Sequence, residues 1–464
     1  MLRKILLLVL AVSVLVSAFA GCAKKGNENE KEDSSSVQEG TTQQKTETSQ
    51  QSDTPQQQTE EPREKLDPNA VIRIWFSLYP EENKMLQEIG DKFKEETGVK
   101  IEVIDSNFFE IRQKYPIAAN ASDAPDLILA QAADLGTLVE ADTLRPIEFV
   151  DQSFENRFAS IAFDSFKYDG KLYGIGYSAD AYGIVYNKNL ISEVPKTWSE
   201  FFKKAEELTI KNEKGEITQY GFLINPTNYW FAYPMIARHG GYYFGKNPDG
   251  SFNPSDIGLA NEGSVKAFNE LLELKEKGMT VQSSEDDESI ISQRFSEGKV
   301  AMMIYALWSA QAYKDAGIDY GYAPLPNNDD GTPSRPLGSV LGIVANKNTR
   351  YVKEADAFLQ YMMRDENLQK LYEAANGGEA KNGQRNTLNK SVYNSEYVQS
   401  DANLKALADV SMECEVFPSN PEATVIWNYA KQAFDNIFYN GKPVEEALAE
   451  LESVVKEDMA KMKN

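Results

Sequence analysis

Short apolar segments alternate with helical repeats along the chain from residue 71 onward. Residues 71–76, 100–104 and 125–129 are short and mostly apolar, as expected for buried strands. Between the first two, apolar residues recur at helical spacing over 84–97, and Gly98 follows at the C-cap position. Strand–helix–strand order at this spacing predicts parallel strands with right-handed crossovers, and therefore an α/β fold.

The later part of the chain continues this pattern. Thr197 and Glu200 form a capping-box pattern that predicts a helix through Leu208. Residues 300–304 predict a short buried strand, and residues 444–462 predict an amphipathic helix. We expect that helix to have an apolar side made of Leu448, Leu451, Val455 and Met462. The whole patterned region is too long for one hydrophobic core, which predicts two lobes.

The first residues have the composition of a secretory signal. Arg3 and Lys4 precede an almost entirely apolar stretch over 5–20, which predicts a signal peptide at 1–21. The Phe-Ala-Gly-Cys motif that ends at Cys22 resembles a bacterial lipobox, in which the cysteine is lipidated. The sequence thus predicts a lipid anchor on Cys22 and a location at the extracellular face of the cell membrane. An ordinary cleaved signal with an incidental cysteine is the alternative.

Residues 22–70 predict a disordered tether. Positions 23–70 hold 11 acidic and 6 basic side chains with many Gln, Ser and Thr, and almost nothing apolar. A segment of this composition cannot build a core. It would hold a folded domain near a membrane.

Charge and composition exclude several classes of protein. Lys and Arg number 48 and Asp and Glu number 71, giving a net charge of −23 that repels the phosphate backbone of nucleic acids. His239 is the only histidine, and Cys22 and Cys414 are the only cysteines. These counts exclude a His-rich or Cys-rich metal site, a disulfide framework and any mechanism that needs two imidazoles. We therefore predict no catalytic residue, no metal and no cofactor, although a glycosidase that uses an unrecognised pair of carboxylates stays open.

An ordered series of segments resembles the extracellular solute-binding proteins of ATP-driven (ABC) sugar importers, and most of all the maltose- and maltodextrin-binding type. The segments are 74–75 (IW), 93–101 (FKEETGVKI), 124–128 (APDLI), 168–174 (YDGKLYG), 185–188 (VYNK), 195–198 (PKTW), 240–242 (GGY), 295–302 (FSEGKVAM), 417–418 (FP) and Trp427. The resemblance covers essentially all of 71–464. It implies a periplasmic-binding-protein-like α/β fold of two lobes joined by a multi-strand hinge, with the ligand cleft between the lobes.

The resemblance also implies lobe boundaries. The N-terminal lobe would comprise 71–180 and 338–385, and the C-terminal lobe 181–337 and 386–464. The chain would cross between the lobes near 179–182, 338–342 and 377–390. Glycines at the second and third crossings suit a hinge, with ordinary loop glycines as the alternative.

Aromatic residues are the candidate stacking groups of a sugar site, because flat rings cover the apolar faces of a pyranose. The tryptophans lie at 75, 198, 230, 308 and 427. By the resemblance, Trp230, Trp308 and Trp427 match aromatic cleft positions of the family, whereas the other two are assigned to packing. Tyr229, Trp230 and Phe231 would present several rings on one short non-helical stretch.

Polar partners for the sugar hydroxyls also follow from the resemblance. Asp180 replaces a family glutamate near the first crossing, and Glu82, with Glu81, follows the first strand at the expected cleft edge. Asn228 and Lys431 stand where the maltose type has an acid and an arginine.

The sequence departs from the maltose type in the first lobe. Residues 130–134 read Ala-Gln-Ala-Ala-Asp where the maltose type has a Trp, an Asp and an Arg that clasp one glucose unit. The Asp-Lys pair after the first strand is also absent. These differences argue against maltose itself and favour a different, bulkier oligosaccharide.

The resemblance therefore implies a monomeric, membrane-tethered receptor for a maltodextrin-like oligosaccharide. It would close around its ligand and present it to the transmembrane subunits of an ABC permease. A secreted glycoside hydrolase is the alternative from another class, and a binder of another small solute, such as a metal chelate or a polyamine, is the third.

Overall fold

A computed structural model describes residues 65–76, 79–106, 108–248, 251–377 and 385–462. The strands are β1 (Val71–Phe76), β2 (Lys100–Asp105), β3 (Leu127–Gln131), β4 (Leu144–Arg145), β5 (Lys167–Tyr168), β6 (Lys171–Leu172), β7 (Gly174–Asp180), β8 (Gly183–Asn187), β9 (Ile210–Lys211), β10 (Ile217–Leu223), β11 (Phe244–Lys246), β12 (Phe252–Ile257), β13 (Val300–Tyr305), β14 (Tyr320–Ala323), β15 (Leu337–Asn346) and β16 (Glu415–Val416).

The α-helices lie between and after these strands, together with short 3-10 helices at Ala132–Asp134 and Leu307–Ser309. They are α1 (Pro80–Thr97), α2 (Phe108–Ala118), α3 (Leu135–Glu140), α4 (Gln152–Glu155), α5 (Ile161–Asp164), α6 (Trp198–Leu208), α7 (Tyr229–Ala237), α8 (Glu262–Glu276), α9 (Glu288–Ser296), α10 (Ala310–Asp315), α11 (Val352–Met362), α12 (Asp365–Asn376), α13 (Lys390–Tyr393), α14 (Glu396–Gln399), α15 (Ala402–Glu413), α16 (Ala423–Phe438) and α17 (Val444–Met462).

The larger sheet is built mainly from the first half of the chain. Within the described ranges it has seven strands, with the path β16-β15-β3-β1-β2 and with β4 and β7 also paired to β15. Strand β1 runs parallel to β2 and β3, whereas β15 runs antiparallel to β3 and β7. The parallel strands are joined by α1 and α2, as the strand–helix–strand pattern predicts.

The smaller sheet comes from the middle of the chain. Its described strands follow the order β14-β8-β13-β10-β9, with β10 and β13 parallel and β8 antiparallel to both of its neighbours. Strand β13 is buried along its whole length, in agreement with the strand predicted at 300–304. The two sheets confirm the α/β class.

The chain passes between the two sheets at two segments that are hydrogen-bonded to each other. Ala181 and Tyr182 alone separate β7 of the larger sheet from β8 of the smaller one. The return runs from Ala323 to Leu337, and the Leu337 amide donates a 3.2 Å hydrogen bond to the Tyr182 hydroxyl. The first two crossings therefore lie side by side.

The glycines proposed for the second crossing are packing positions inside β15. A Cβ on Gly338 would lie 2.1 Å from the Cys414 sulfur, and one on Gly342 would lie 2.5 Å from the Phe166 ring. Close approach, rather than rotation about φ and ψ, explains why these two residues are glycine.

Local predictions hold best where capping chemistry and periodicity agree. The capping box of α6 is present, with Thr197 and Glu200 in reciprocal bonds. Helix α1 begins at Pro80, four residues earlier than predicted, because proline suits the first helical turn. In α17 the prediction for Met462 is wrong: it is exposed, and Met459 belongs to the buried side.

The predicted signal peptide 1–21, Cys22 and the tether up to residue 64 lie outside the described residues. Residues 65–70, which the sequence assigned to the tether, pack against the fold. Ala70 is buried, and the Asp67 amide donates to the Glu354 carboxylate at 2.8 Å. No helix within the described ranges combines the length and the apolar character that a membrane span requires.

Candidate functional site

The Tyr-Trp-Phe sequence at 229–231 forms the first turn of helix α7, so the prediction of a non-helical stretch is wrong. Asn228 begins the helix because its side-chain oxygen accepts from the amides of Trp230 (2.9 Å) and Phe231 (3.2 Å). The aromatic side chains are therefore fixed by a capped helix start.

A tyrosine from the first crossing completes this helix. Pro234 lacks the N–H that would otherwise bond to the carbonyl of Trp230, four residues earlier. The Tyr182 hydroxyl donates to that carbonyl instead, at 2.5 Å. A buried backbone acceptor is thereby satisfied by a side chain of the crossing segment.

A continuous series of rings surrounds this helix start, and we call it the aromatic array. Ring-centroid distances are 6.3 Å for Trp308–Phe231, 5.0 Å for Phe231–Tyr182, 5.7 Å for Tyr182–Trp230, 5.7 Å for Trp230–Phe417, 6.3 Å for Phe417–Trp427 and 5.6 Å for Trp427–Tyr229. Tyr243 stacks on Tyr229 at 3.8 Å. The structure thus joins all three candidate tryptophans in one chain of ring contacts.

Exposure divides the array into ends and middle. Trp308, in the short helix after β13, is 43% exposed, and Trp427, on α16, is 49% exposed. Tyr229 is 4% exposed and Trp230 is half-buried. Two open indoles beside a set of more deeply buried rings provide the flat apolar surfaces that a sugar ring needs.

Two polar atoms within the array have no hydrogen-bond partner among the described residues. They are the indole nitrogen of Trp230 and the hydroxyl oxygen of Tyr229, and both atoms are buried. Buried polar groups normally pair, but both atoms are closed to solvent in this conformation, so a bound molecule reaches them only if the surrounding side chains move.

A second set of side chains, which we call the charged cluster, lies where the larger sheet meets the first crossing. Its members are Tyr79, Glu82, Tyr177, Asp180 and Arg385. Glu82 is fully buried, accepting from Arg385 at 2.7 Å and from the Tyr177 hydroxyl at 3.2 Å. Both of its oxygens are thus used within the protein, and we assign Glu82 a structural position rather than direct ligand contact.

Asp180 is the more accessible carboxylate of the cluster. It ends β7 and is half-buried, two residues before Tyr182 of the aromatic array. Burial raises the pKa of the Asp180 carboxyl, whereas the positive charge of Arg385 opposes that rise. This carboxylate can accept a hydrogen bond from a hydroxyl at the point where the two sets meet.

The first-lobe segment that departs from the maltose type has its own ion pair. Ala130 is buried and Gln131 is half-buried, and Asp134 binds Arg112 of α2 at 2.9 Å. Burial raises the pKa of the Asp134 carboxyl, and Arg112 opposes the rise. The segment that the resemblance aligns with the clasp of the maltose type thus holds small side chains and one such pair.

Three further side chains that the sequence offered as ligand partners are either hydrogen-bonded within the protein or exposed to solvent. The Asn228 side-chain oxygen is used by the helix cap. Lys431 is exposed and binds Asp435, four residues later on α16, at 2.7 Å. Glu81 is half-exposed at the start of α1. None of these side chains has a contact in the structure that assigns it to a ligand.

Sequence reasoning missed Arg385, Tyr182 and Phe417. Arg385 pairs with a residue 303 positions away, so no local pattern announces it. Pro234 was a usable signal for a residue such as Tyr182. A proline in the helix leaves the carbonyl of Trp230 without its usual backbone donor, so a donor must come from elsewhere in the fold. Among the described residues, no three His, Cys, Asp or Glu side chains group closely enough to hold a metal ion.

Comparison with known proteins identifies the family of this chain. A family described as bacterial extracellular solute-binding protein matches residues 88–406. The maltodextrin-binding protein of Bacillus subtilis is 30% identical over 380 residues, which are 81% of this chain and 87% of that protein. The galactooligosaccharide-binding protein of the same organism is 27% identical over 367 residues, or 77% of this chain and 82% of that protein.

A solved structure shows the same architecture. A cyclo/maltodextrin-binding protein in complex with maltotetraose is similar with a TM-score of 0.77 at 26% identity, over 85% of this chain and 98% of that chain. The predicted two-lobed fold is confirmed. Since the family match spans well over half of the sequence, the chain belongs to the bacterial extracellular solute-binding proteins.

Proposed function

We propose that this protein is an oligosaccharide-binding receptor of an ABC importer, which binds its ligand and releases it unchanged. The observation that carries the proposal is the aromatic array, which ends in the exposed rings of Trp308 and Trp427 and adjoins the half-buried Asp180 carboxylate. Rings for the apolar faces of a sugar and a carboxylate for its hydroxyls are the two chemistries that carbohydrate recognition requires.

The named relatives favour several sugar units over one, and Trp308 and Trp427, which make no direct ring contact among the described residues, offer two stacking surfaces. Both Bacillus relatives carry the names of oligosaccharide-binding proteins, and the similar solved structure holds maltotetraose. A maltodextrin-like chain is therefore the first ligand to test, and the changed segment 130–134 argues against maltose itself.

In this proposal the ligand contacts come from both lobes. Trp230, Trp308, Trp427 and Tyr229 supply rings, and Asp180 accepts from a hydroxyl. Glu82 and Asn228 act indirectly, by holding Arg385 and the start of α7.

We assign 71–180 and 338–385 to the N-terminal lobe, and 181–337 and 386–464 to the C-terminal lobe. Ligand binding would favour a closed arrangement of these lobes, because a ligand shifts the equilibrium only through its preference for one state. The closed monomer would then dock on the permease subunits.

The lipid anchor is a separate part of the proposal. Cys22 would carry the lipid and keep the receptor at the extracellular face of the membrane. Labelling cells with a clickable fatty acid should mark the wild-type protein, and Cys22→Ser should abolish the label and release the protein from the membrane fraction. A membrane-bound, unlabelled wild-type protein would contradict the anchor.

Calorimetry of the purified protein against a sugar panel tests the binding function. The panel should contain maltose, maltotetraose, a linear galactotetraose and the monosaccharides. We expect saturable binding of a tetrasaccharide and at least tenfold weaker binding of monosaccharides. The absence of binding by any sugar, together with binding of a polyamine or a metal chelate, would overturn the proposal.

A second measurement separates the receptor from the glycosidase alternative. Prolonged incubation with each oligosaccharide should produce no new reducing ends. Appearance of reducing ends that disappears in Asp180→Asn would instead indicate a hydrolase.

A further inference from the structure

Arg385 lies at the contact between the third crossing and the strand that ends in Asp180. Its side chain is 2% exposed and pairs with the fully buried Glu82 at 2.7 Å. The following residues bond along β7: the Asn386 amide group donates to the Ala179 carbonyl at 2.5 Å, and the Leu388 amide donates to the Tyr177 carbonyl at 3.1 Å. The guanidinium is therefore fixed beside the end of that strand.

Glu82 does not use the whole guanidinium. Its bond comes from one terminal nitrogen of Arg385, while the buried Nε has no hydrogen-bond partner among the described residues. The guanidinium carbon lies 5.1 Å from the centre of the Tyr79 ring. One positive charge thus faces two carboxylates, Glu82 and Asp180.

We propose that Arg385, which is paired with Glu82 beside the end of β7, is a positioning residue for ligand binding, whose positive charge favours the charged form of the Asp180 carboxylate as the acceptor for a ligand hydroxyl. This inference rests on the proposed function. It assigns a role in recognition to a residue of the third crossing, which makes no predicted ligand contact of its own.

The electrostatic balance at Asp180 supports this role. Burial raises the pKa of Asp180 most, Arg385 lowers it, and Glu82 raises it by less than Arg385 lowers it. The ionisable groups around Asp180 are Arg385, Glu82, Tyr79, Tyr177 and Cys414. Among these, the arginine is the one positive charge, and it opposes part of the rise in the pKa of Asp180 that burial causes.

This balance predicts the direction in which each substitution moves the pH dependence of binding. A protonated Asp180 cannot act as the charged acceptor, so affinity should fall as the pH drops below its pKa, by up to about tenfold per pH unit. We call this fall of affinity at low pH the acid limb. Glu82→Gln removes a repulsive neighbour and should move this acid limb to lower pH. The double variant Glu82→Gln/Arg385→Met removes the larger attraction as well and should move the limb to higher pH.

The experiment is calorimetric titration of the purified protein with maltotetraose between pH 4 and 8, using a linear galactotetraose if maltotetraose does not bind. We expect the acid limb to move in opposite directions in the two variants and to be absent in Asp180→Asn. Arg385→Lys keeps the charge and should leave the limb near its wild-type position. Thermal unfolding of each empty variant at neutral pH identifies any variant that fails to fold.

A matched control is Arg145→Met, which breaks the partly buried ion pair of Arg145 and Asp356 in the same lobe. It should lower stability without moving the acid limb. The inference is overturned if the double variant binds more weakly at every pH with its limb unmoved, since Arg385 would then be purely structural. Failure of the wild-type protein to bind any sugar would instead overturn the proposed function.

Discussion

The aromatic array and the charged cluster adjoin each other at Asp180 and Tyr182, but they are held in place in different ways. The array depends on one capped helix start and on ring contacts, and its terminal rings are open to solvent. The cluster depends on an ion pair between Glu82 and Arg385 that is almost completely buried. We infer from this difference that the array would contribute mainly to ligand affinity. The cluster would contribute mainly to stability and would set the charge of the Asp180 carboxylate.

Breaking the ion pair should have the largest effect on stability. Arg385→Met leaves Glu82 buried without its partner, and we expect a loss of about 3–5 kcal/mol in the free energy of unfolding. Urea denaturation of the empty protein measures this. The double variant Glu82→Met/Arg385→Met should recover most of the loss, and a single variant as stable as wild type would remove the cluster from its structural role.

Truncation of the exposed rings should lower ligand affinity more than stability. Trp308→Ala and Trp427→Ala should each weaken oligosaccharide binding roughly 10- to 100-fold, or about 1.4–2.8 kcal/mol, because the ring removed is the stacking surface. The free energy of unfolding without ligand should fall by only about 1–2 kcal/mol, because roughly half of each ring is already in solvent.

The fully buried Trp198 is the matched control for these rings. Trp198→Ala should cost about 3–5 kcal/mol of stability, since it leaves a cavity in the core. A comparable loss in the empty Trp308→Ala protein would mean that this ring belongs to the core and not to a binding face.

Removing the cap of α7 should have an intermediate effect on both properties. Asn228→Ala leaves the amides of Trp230 and Phe231 without their acceptor and should lower stability by about 1 kcal/mol. Affinity should fall with it, because the start of α7 positions the array. Asn228→Ser should restore both properties, and a variant that loses affinity alone would assign Asn228 to the ligand.

The smallest effect is expected at the hydroxyl of Tyr229. Tyr229→Phe removes a buried oxygen that has no partner among the described residues, so stability should stay within about 1 kcal/mol of wild type or rise slightly. Oligosaccharide affinity should fall only severalfold. A clear loss of stability would show that the hydroxyl has a partner in the empty protein.

Much of the fold could be predicted from the sequence because its signals are local. The strand at 71–76, the capping box of α6 and the strand at 300–304 each depend on residues close together in the chain. The start of α1 was misplaced although its signal, Pro80, is local. The error at Gly338 and Gly342 arose because neighbours in space, Cys414 and Phe166, decide the outcome there.

The candidate site was less accessible to sequence reasoning. The three candidate tryptophans fall in one chain of ring contacts, but the helix that positions Trp230 depends on an Asn cap and on a hydroxyl from residue 182. Arg385 could not be found, because its significance lies in partners hundreds of residues earlier. An ion pair between residues far apart in the chain produces no periodic pattern in the sequence, whereas helices and strands do.

The Tyr182 hydroxyl connects three parts of the molecule through two bonds. It donates to the Trp230 carbonyl and accepts from the Leu337 amide, so it joins the first crossing, the second crossing and the start of α7. A rotation that separates these three parts must break at least one of the two bonds. We therefore expect the pivot of closure to fall before Tyr182, so that the rings of the array move as one rigid body with the second crossing.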